Sequence, residues 1–501
     1  MRRRKVAASN IDINSPQRAS SDARRAAVGL LLHRRRPRTG TALLLAGLVA
    51  GWLLAASYLL VLLGAAPTAR AQDVDHPMVA RDPRAPQGPL ISDATPDGFA
   101  LNVGTRDGAA RAARLLVFDA AERPTPGTPP HKLAESPPAP WHFLRITGLA
   151  PAHRYRYRLL LDEHPDFDGE VSTAPAPDAQ APLLFAIFGD ERGDEGVGAG
   201  AHAIVQAVLA EAPDLVIGTG DLVNEGGKPE DWLALLRNHG PMLAQIPYYP
   251  ALGNHELIGD PDGVTWRRVF PRAAAGHYVV RYGPALLLFL DGNRPGDSAQ
   301  TQFLAKELER AAADPSVQAR LVILHQPPLS ASLHCGSASH MTEWISLWER
   351  HHVDAVIAGH DHAYQRLERN GIAYFVSGGG GAPLYPIGSC GGPDEPALQR
   401  YESAHHYVLL RITPRQPGGR AAITLSARAP NGPVLDDVTL PLGRAPVMAF
   451  EPQPLGPGQR PTRRLHRGYL TYALRQVGPT LILVLAALLV SVVAWRFARR
   501  R

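Results

Sequence analysis

The sequence predicts a layered α/β domain that follows a small all-β sandwich, with one transmembrane helix near each end of the chain. Apolar strand patterns alternate with helical patterns across residues 183–442. Short alternating runs bounded by turn residues cover residues 93–174. Uncharged stretches at 41–66 and 478–495 are long enough to cross a bilayer as helices.

Size and charge restrict the class of protein. The chain has 501 residues, of which 45% are hydrophobic and 20% are charged, so it can form two or three domains with a substantial core. Its formal net charge is +6, but residues 1–38 and 459–501 together contribute +18 and leave −12 for the middle. Because an acidic body repels a phosphate backbone, no nucleic-acid partner is expected.

The basic residues flank the two apolar spans. Positively charged segments stay on the cytoplasmic side of a membrane. The basic tails at 1–40 and 496–501 therefore predict a cell-membrane protein with both termini in the cytoplasm and the middle of the chain outside. Alternatively, the first span is a cleaved signal peptide, since Ala69-Arg70-Ala71 offers a cleavage site, but the apolar run exceeds the usual length of about 7–15 residues. Under both interpretations, the middle of the chain is exported.

The predicted β-sandwich at 93–174 has one characteristic stretch. The run at 144–159 resembles the corner of a fibronectin type III sandwich, in which Leu149 and Tyr155 pack inward. Ordinary packing of a β-sandwich would account for the same pattern. Linkers are predicted at 67–92, 175–182 and 443–477.

The α/β domain at 183–442 is predicted from five buried strands and four helices. The strands are 183–188, 214–218, 285–290, 320–324 and 353–358, and the helices lie at about 200–211, 229–238, 300–312 and 341–351. Active sites in such sheets form beyond the carboxyl ends of the strands, so the polar residues directly after these runs are the candidates.

Residues that can bind metal follow nearly every buried strand. They are Asp190, Asp221, Asn254, His325, His360 and His362. A single strand-end Asp or His is more often a helix cap or a loop hydrogen-bonding group. Five such motifs in succession indicate a metal site, because an ordinary core does not need these residue types at one sheet edge. Oxygen and nitrogen ligands without thiolates suit Fe, Zn or Mn.

These motifs resemble the calcineurin-like metallophosphoesterase superfamily. Its ordered signature of G-D, G-D, G-N-H-E, a strand-end His and G-H-x-H occurs here in the same order. The likeness extends to the purple acid phosphatases, which also carry a fibronectin-like sandwich before the catalytic domain. The resemblance implies an α/β/β/α sandwich and hydrolysis of phosphate mono- or diesters by a metal-bound hydroxide.

The resemblance also implies a role for each candidate ligand. Asp221 would bridge two metal ions, Asp190 and His362 would bind the first ion, and Asn254, His325 and His360 would bind the second. Two such ions would clamp the phosphoryl oxygens of a phosphate-ester substrate.

Two histidines are the candidate catalytic residues, because a leaving alkoxide needs a proton. His255 directly follows a ligand, and His334 lies nine residues after His325, where purple acid phosphatases carry a catalytic histidine. The alternative for His255 is a hydrogen bond that orients a ligand or the substrate. The alternative for His334 is an ordinary loop histidine.

Two positions depart from the family pattern. Many members have D-x-H at the first motif, but Arg192 stands at its third position, and Asn224 replaces the tyrosine of purple acid phosphatases. The first metal therefore lacks both usual additional ligands, and Arg192 would face either the substrate phosphate or solvent. This depletion motivates an alternative function, a degenerate domain that binds a phosphorylated ligand or partner without turnover. A purely structural adhesion role would leave the ligand set unexplained.

Cys335 and Cys390 are the two cysteines of the chain. Both lie in loops of the exported region, where an oxidising compartment permits a disulfide. Two unrelated thiols are the alternative.

Overall fold

The computed structural model of the chain describes residues 86–105, 107–121, 128–193, 196–197, 199–387, 397–416 and 421–442. All of these belong to one structural unit, Asp75–Arg501. The predicted spans at 41–66 and 478–495 and both predicted tails lie outside the described residues. Among the helices of the described residues, none is long and apolar enough to cross a membrane.

The N-terminal domain is a β-sandwich of two antiparallel sheets. Its strands are β1 (Pro86–Thr95), β2 (Gly98–Thr105), β3 (Arg111–Asp119), β4 (Lys132–Ala139), β5 (Trp141–Thr147), β6 (Arg154–Leu161) and β7 (His164–Ser172). One sheet has the order β1-β2-β5 and the other β4-β3-β6-β7. β1 begins at Pro86, before the predicted domain start at residue 93. Two register shifts in its pairing with β2 disrupt the regular alternation that marks a strand in sequence.

The predicted corner residues of the sandwich are buried. Leu149 and Tyr155 are 6% and 3% exposed, and the Tyr155 hydroxyl accepts a hydrogen bond from the backbone N–H of Ala150 at 2.9 Å. Such a bond from a corner tyrosine to nearby backbone is typical of these sandwiches. The β-sandwich is therefore confirmed, whereas its relation to fibronectin type III domains stays a prediction.

The α/β domain contains two larger sheets and a short hairpin. Its strands are β8 (Leu183–Phe188), β9 (Arg192–Gly193), β10 (Gly196–Val197), β11 (Leu215–Gly218), β12 (Tyr248–Pro250), β13 (Tyr278–Tyr282), β14 (Ala285–Phe289), β15 (Ala319–Ile323), β16 (Ala355–Ala358), β17 (Tyr364–Arg369), β18 (Ile372–Ser377), β19 (Leu398–Glu402), β20 (Tyr407–Thr413), β21 (Ala422–Arg428) and β22 (Val434–Pro441). The six-stranded sheet has the order β12-β11-β8-β20-β21-β22, and the seven-stranded sheet has the order β13-β14-β15-β16-β18-β17-β19.

Helices cover the outer faces of these sheets. They are α1 (Ala199–Glu211), α2 (Pro229–Asn238), α3 (Gly240–Leu243), α4 (Val264–Val269), α5 (Ser298–Ala313) and α6 (Thr342–Arg350). Along β14, Leu287 and Phe289 join the core shared with the six-stranded sheet, whereas Leu286 and Leu288 pack with the buried faces of α5 and α6. Both faces of this sheet are thus buried, as the predicted α/β/β/α sandwich requires.

Parallel pairing places the ends of the key strands together. β8, β11 and β12 are parallel to one another, and β14, β15, β16 and β18 form a second parallel set. The carboxyl ends of parallel neighbours lie at the same sheet edge, so the loops that follow them meet there.

Buried polar contacts fix the sandwich to the α/β domain. Asp93 is 1% exposed and accepts hydrogen bonds from Arg145 of the sandwich and Arg272 of the α/β domain, both at 2.9 Å. The Asn102 side chain donates to the carbonyl of Val269 at 2.7 Å. The two domains therefore share a specific interface.

We expect Asp93→Ala to lower the free energy of unfolding by about 1–2 kcal/mol. Breaking a buried ion pair costs about 3–5 kcal/mol, but both arginines are partly exposed, which reduces the loss. Asp168→Ala is the matched control, because it removes a surface pair with Arg158 and should cost less than about 1 kcal/mol. Urea denaturation of the full chain in detergent measures both, and equal effects would contradict the role of Asp93 in docking.

Candidate metal centre

Three candidate ligands sit at sharp turns where strands end. Asp190 follows β8, Asp221 follows β11, and His360 follows β16. Their φ angles are 58°, 54° and 69°, in the left-handed region. Residues other than glycine rarely adopt this conformation, and where they do, it is often at functional sites. Each strand therefore ends in a strained turn, and the contacts of the surrounding structure must compensate its energetic cost.

The candidate ligands of the second metal converge. Oδ1 of Asp221 lies 3.2 Å from Nε2 of His325, and that nitrogen lies 3.2 Å from Nδ1 of His360. Ligand atoms of these three residues all lie within 4.8 Å of one another. Oδ1 of Asn254 is buried without a hydrogen-bond partner. This set of oxygen and nitrogen donors fits a divalent cation.

The charges of these residues depend on one another. Although burial opposes ionisation, the neighbouring His325 holds the pKa of Asp221 well below its ordinary value. Burial lowers the pKa of His325, but Asp221 outweighs it and raises the value to about 9. Burial and His325 lower the pKa of His360 to about 3. His325 thus carries a proton against Asp221, and a divalent cation would replace that proton.

Backbone groups orient the ligands. His325 donates Nδ1–H to the carbonyl of Thr219 at 2.8 Å, which directs Nε2 toward Asp221. A side chain on Gly253 would meet Oδ1 of Asp221 at 2.3 Å, and one on Gly359 would meet Oδ2 of Asp190 at 2.5 Å. Both motif glycines are therefore required for the loops to approach each other.

Glu256 holds two of these loops together, a role that the sequence did not predict. Its buried carboxylate accepts backbone hydrogen bonds from Gly253 at 2.7 Å, Asp221 at 3.0 Å and Leu222 at 2.7 Å. Burial and the negative charge of Asp221 raise the pKa of Glu256 to about 7. The one sequence feature that could have indicated this role is the position of Glu256 at the end of the G-N-H-E motif.

The predicted position of the first metal contains an arginine. Oδ1 of Asp190 lies 3.4 Å from Nε2 of His362, as two ligands of one ion would. However, Nη2 of Arg192 lies 3.1 Å from the same nitrogen, and Nε of Arg192 lies 3.2 Å from Oδ2 of Asp221. Arg192 was predicted to face substrate or solvent, but it pairs with candidate ligands. These residues do not form an open cation site.

The two candidate catalytic histidines have different surroundings. His334 donates Nδ1–H to Asp361 at 2.8 Å, and its ring centroid lies 4.1 Å from that of His360. His255 donates Nδ1–H to the carbonyl of Asn224 at 2.6 Å and its backbone N–H to Oδ1 of Asp221 at 2.9 Å. The site therefore includes His334 with its partner Asp361, whereas the contacts of His255 favour the orienting role.

Cys335 lies beside His334 and is disulfide-bonded. This agrees with the predicted disulfide. The predicted partner, Cys390, lies outside the described residues.

Known proteins are similar to this chain in sequence and fold. Residues 186–364 match the family model of calcineurin-like phosphoesterases. An uncharacterised protein of Mycobacterium tuberculosis is 24% identical over 59% of this chain and 74% of its own length. Purple acid phosphatase 23 of Arabidopsis thaliana is 28% identical over 46% of this chain and 58% of its own length. The structure of a purple acid phosphatase from yellow lupin (Lupinus luteus) seeds has the same fold, with a TM-score of 0.59 and 18% identity over 71% of this chain and 74% of that one.

The motif order, the layered fold and the family-model match over residues 186–364 support a calcineurin-like metallophosphoesterase domain that resembles purple acid phosphatases. It is a metal-dependent phosphoester hydrolase, and membership of this family implies divalent metal ions.

We expect Asp221→Asn to weaken metal binding by at least about 100-fold, because it removes the charged ligand on which the other donors converge. Asp262→Asn is the matched control, since Asp262 is an exposed carboxylate of the same domain. Metal content of the purified full chain after dialysis, measured by mass spectrometry, tests this expectation. Equal metal retention by both variants would show that the cation binds elsewhere.

Proposed function

We propose that this chain is a membrane-anchored, extracytoplasmic phosphoesterase that hydrolyses phosphate mono- or diesters. The convergence of Asp221, His325 and His360 beside the His334–Asp361 pair supports this proposal most directly. A cation held by these three residues would supply an acidified water and would neutralise charge on the phosphoryl oxygens. The ligand types suit Fe, Zn or Mn.

His334 is proposed as the proton donor to the leaving group. Because Nδ1–H is bonded to Asp361, the second ring nitrogen, Nε2, is the atom that can carry the transferable proton. The side chain is 38% exposed, so a substrate can reach it. A donor beside a candidate metal ligand is correctly placed to protonate a leaving oxygen.

Asp361 is proposed as the residue that positions His334. It is fully buried and accepts hydrogen bonds from the backbone N–H of His334 at 3.1 Å and from the hydroxyl of Ser330. With burial opposing ionisation, the His334 hydrogen bond lowers the pKa of Asp361, so the carboxylate stays charged and holds the imidazole in one orientation.

Leaving-group dependence tests both the activity and the role of His334. The full chain with bound metal should hydrolyse both an alkyl phosphate and 4-nitrophenyl phosphate. His334→Gln should lower kcat for the alkyl ester by about 100-fold or more, but much less for the nitrophenyl ester, whose leaving group needs no proton. Asp361→Asn should show the same selectivity, and both variants should retain metal.

Two results would contradict these proposals. An equal loss on both esters would exclude His334 as the proton donor. Absence of hydrolysis across nucleotides, sugar phosphates and phosphodiesters with metal bound would instead favour a degenerate domain that binds a phosphorylated ligand.

The membrane placement is supported by the uncharged runs at 41–66 and 478–495 and by the basic tails outside them. A reporter that is active only in the cytoplasm should therefore be active when fused after residue 501 and inactive when fused after residue 450. Activity at both positions would contradict export of the catalytic domain.

A further inference from the structure

Arg192 pairs with two residues that are predicted to share the first metal. Its side chain is 19% exposed, and Nε lies 3.2 Å from Oδ2 of the fully buried Asp221. Its Nη2 lies 3.1 Å from Nε2 of His362, a side chain that is 2% exposed. Among the described residues, Oδ2 of Asp221 accepts no hydrogen bond, so its contact with Nε of Arg192 is an ion pair rather than a hydrogen bond.

The contact with His362 excludes a metal ion from the same nitrogen. His362 donates Nδ1–H to the carbonyl of Pro383 at 2.7 Å, so the neutral ring has a single lone pair, on Nε2. That lone pair accepts the N–H of Arg192. An ion could bind Nε2 only after the guanidinium had moved away.

Charge balance also favours the guanidinium at this position. Asp190 and Asp221 are both fully buried, and buried carboxylates are costly unless a cation or hydrogen bonds compensate them. A guanidinium keeps its charge and binds carboxylate or phosphate oxygens in a planar arrangement. Arg192 therefore supplies positive charge next to these buried carboxylates, as a first metal ion would otherwise do.

We propose that Arg192 is the resident cation of the first metal position. The chain then holds one metal ion, at Asp221, Asn254, His325 and His360, and the Arg192 guanidinium provides the positive charge on the other side of Asp221. A second ion binds only by displacing Arg192. This inference rests on the proposed function, because it concerns the same site.

Manganese binding to the full chain in detergent tests the inference. Wild type should bind one Mn²⁺ per chain and give the spectrum of an isolated ion in electron paramagnetic resonance. Arg192→Ala should admit a second ion, and Arg192→His, which restores the D-x-H ligand, should bind it at least about tenfold more tightly than wild type does. In both variants the two ions share Asp221 and should give an exchange-coupled spectrum. Arg294→Ala, a change at an exposed arginine of the same domain, should behave as wild type.

Each other outcome overturns a specific claim. If wild type binds two coupled ions as tightly as Arg192→His does, Arg192 is not the resident cation, although the hydrolase assignment stands. If Arg192→Ala and Arg192→His both remain at one ion, the guanidinium does not block the position and the inference fails. If wild type and all variants bind no manganese, the metal site itself is absent, and the proposed function fails together with the inference.

Discussion

The site depends on the burial of the Asp221 carboxylate. A carboxylate removed from water is stable only when positive charge and hydrogen bonds surround it. Here His325 faces one oxygen at 3.2 Å and Arg192 faces the other at 3.2 Å, and the Asp221 backbone N–H is bonded to Glu256. The positively charged side chain of Arg192 and the candidate metal ligand His325 are therefore both arranged around the single buried negative charge of Asp221.

That charge also joins the two large sheets. Asp221 follows a strand of the six-stranded sheet, whereas His325 and His360 follow strands of the seven-stranded sheet. The bond from His325 to the carbonyl of Thr219 crosses the same boundary. Packing of the two sheets therefore brings the candidate ligands together, and a cation bound to them would stabilise that packing.

The two sides of Asp221 differ in the chemistry of the groups that they present. The side of His325 and His360 offers lone pairs to an exchangeable metal ion, which can acidify water. The side of Arg192 presents a covalently attached charge that cannot acidify water but can bind oxyanions. Under the proposals made above, such a site would divide the tasks of a two-metal centre between an ion and a side chain, and the nearby His334–Asp361 pair would add a proton donor.

The sequence by itself determined the layered fold, the principal buried strands and the six candidate ligands, because hydrophobic periodicity and residues at strand ends are local patterns. The partners of Arg192, Glu256 and Asp361 were decided only by the tertiary structure. Each bonds to residues on other loops, and which loops meet depends on how the sheets pack. The start of β1 at Pro86 is likewise visible only in the structure, since its irregular pairing obscures the alternation that sequence can show.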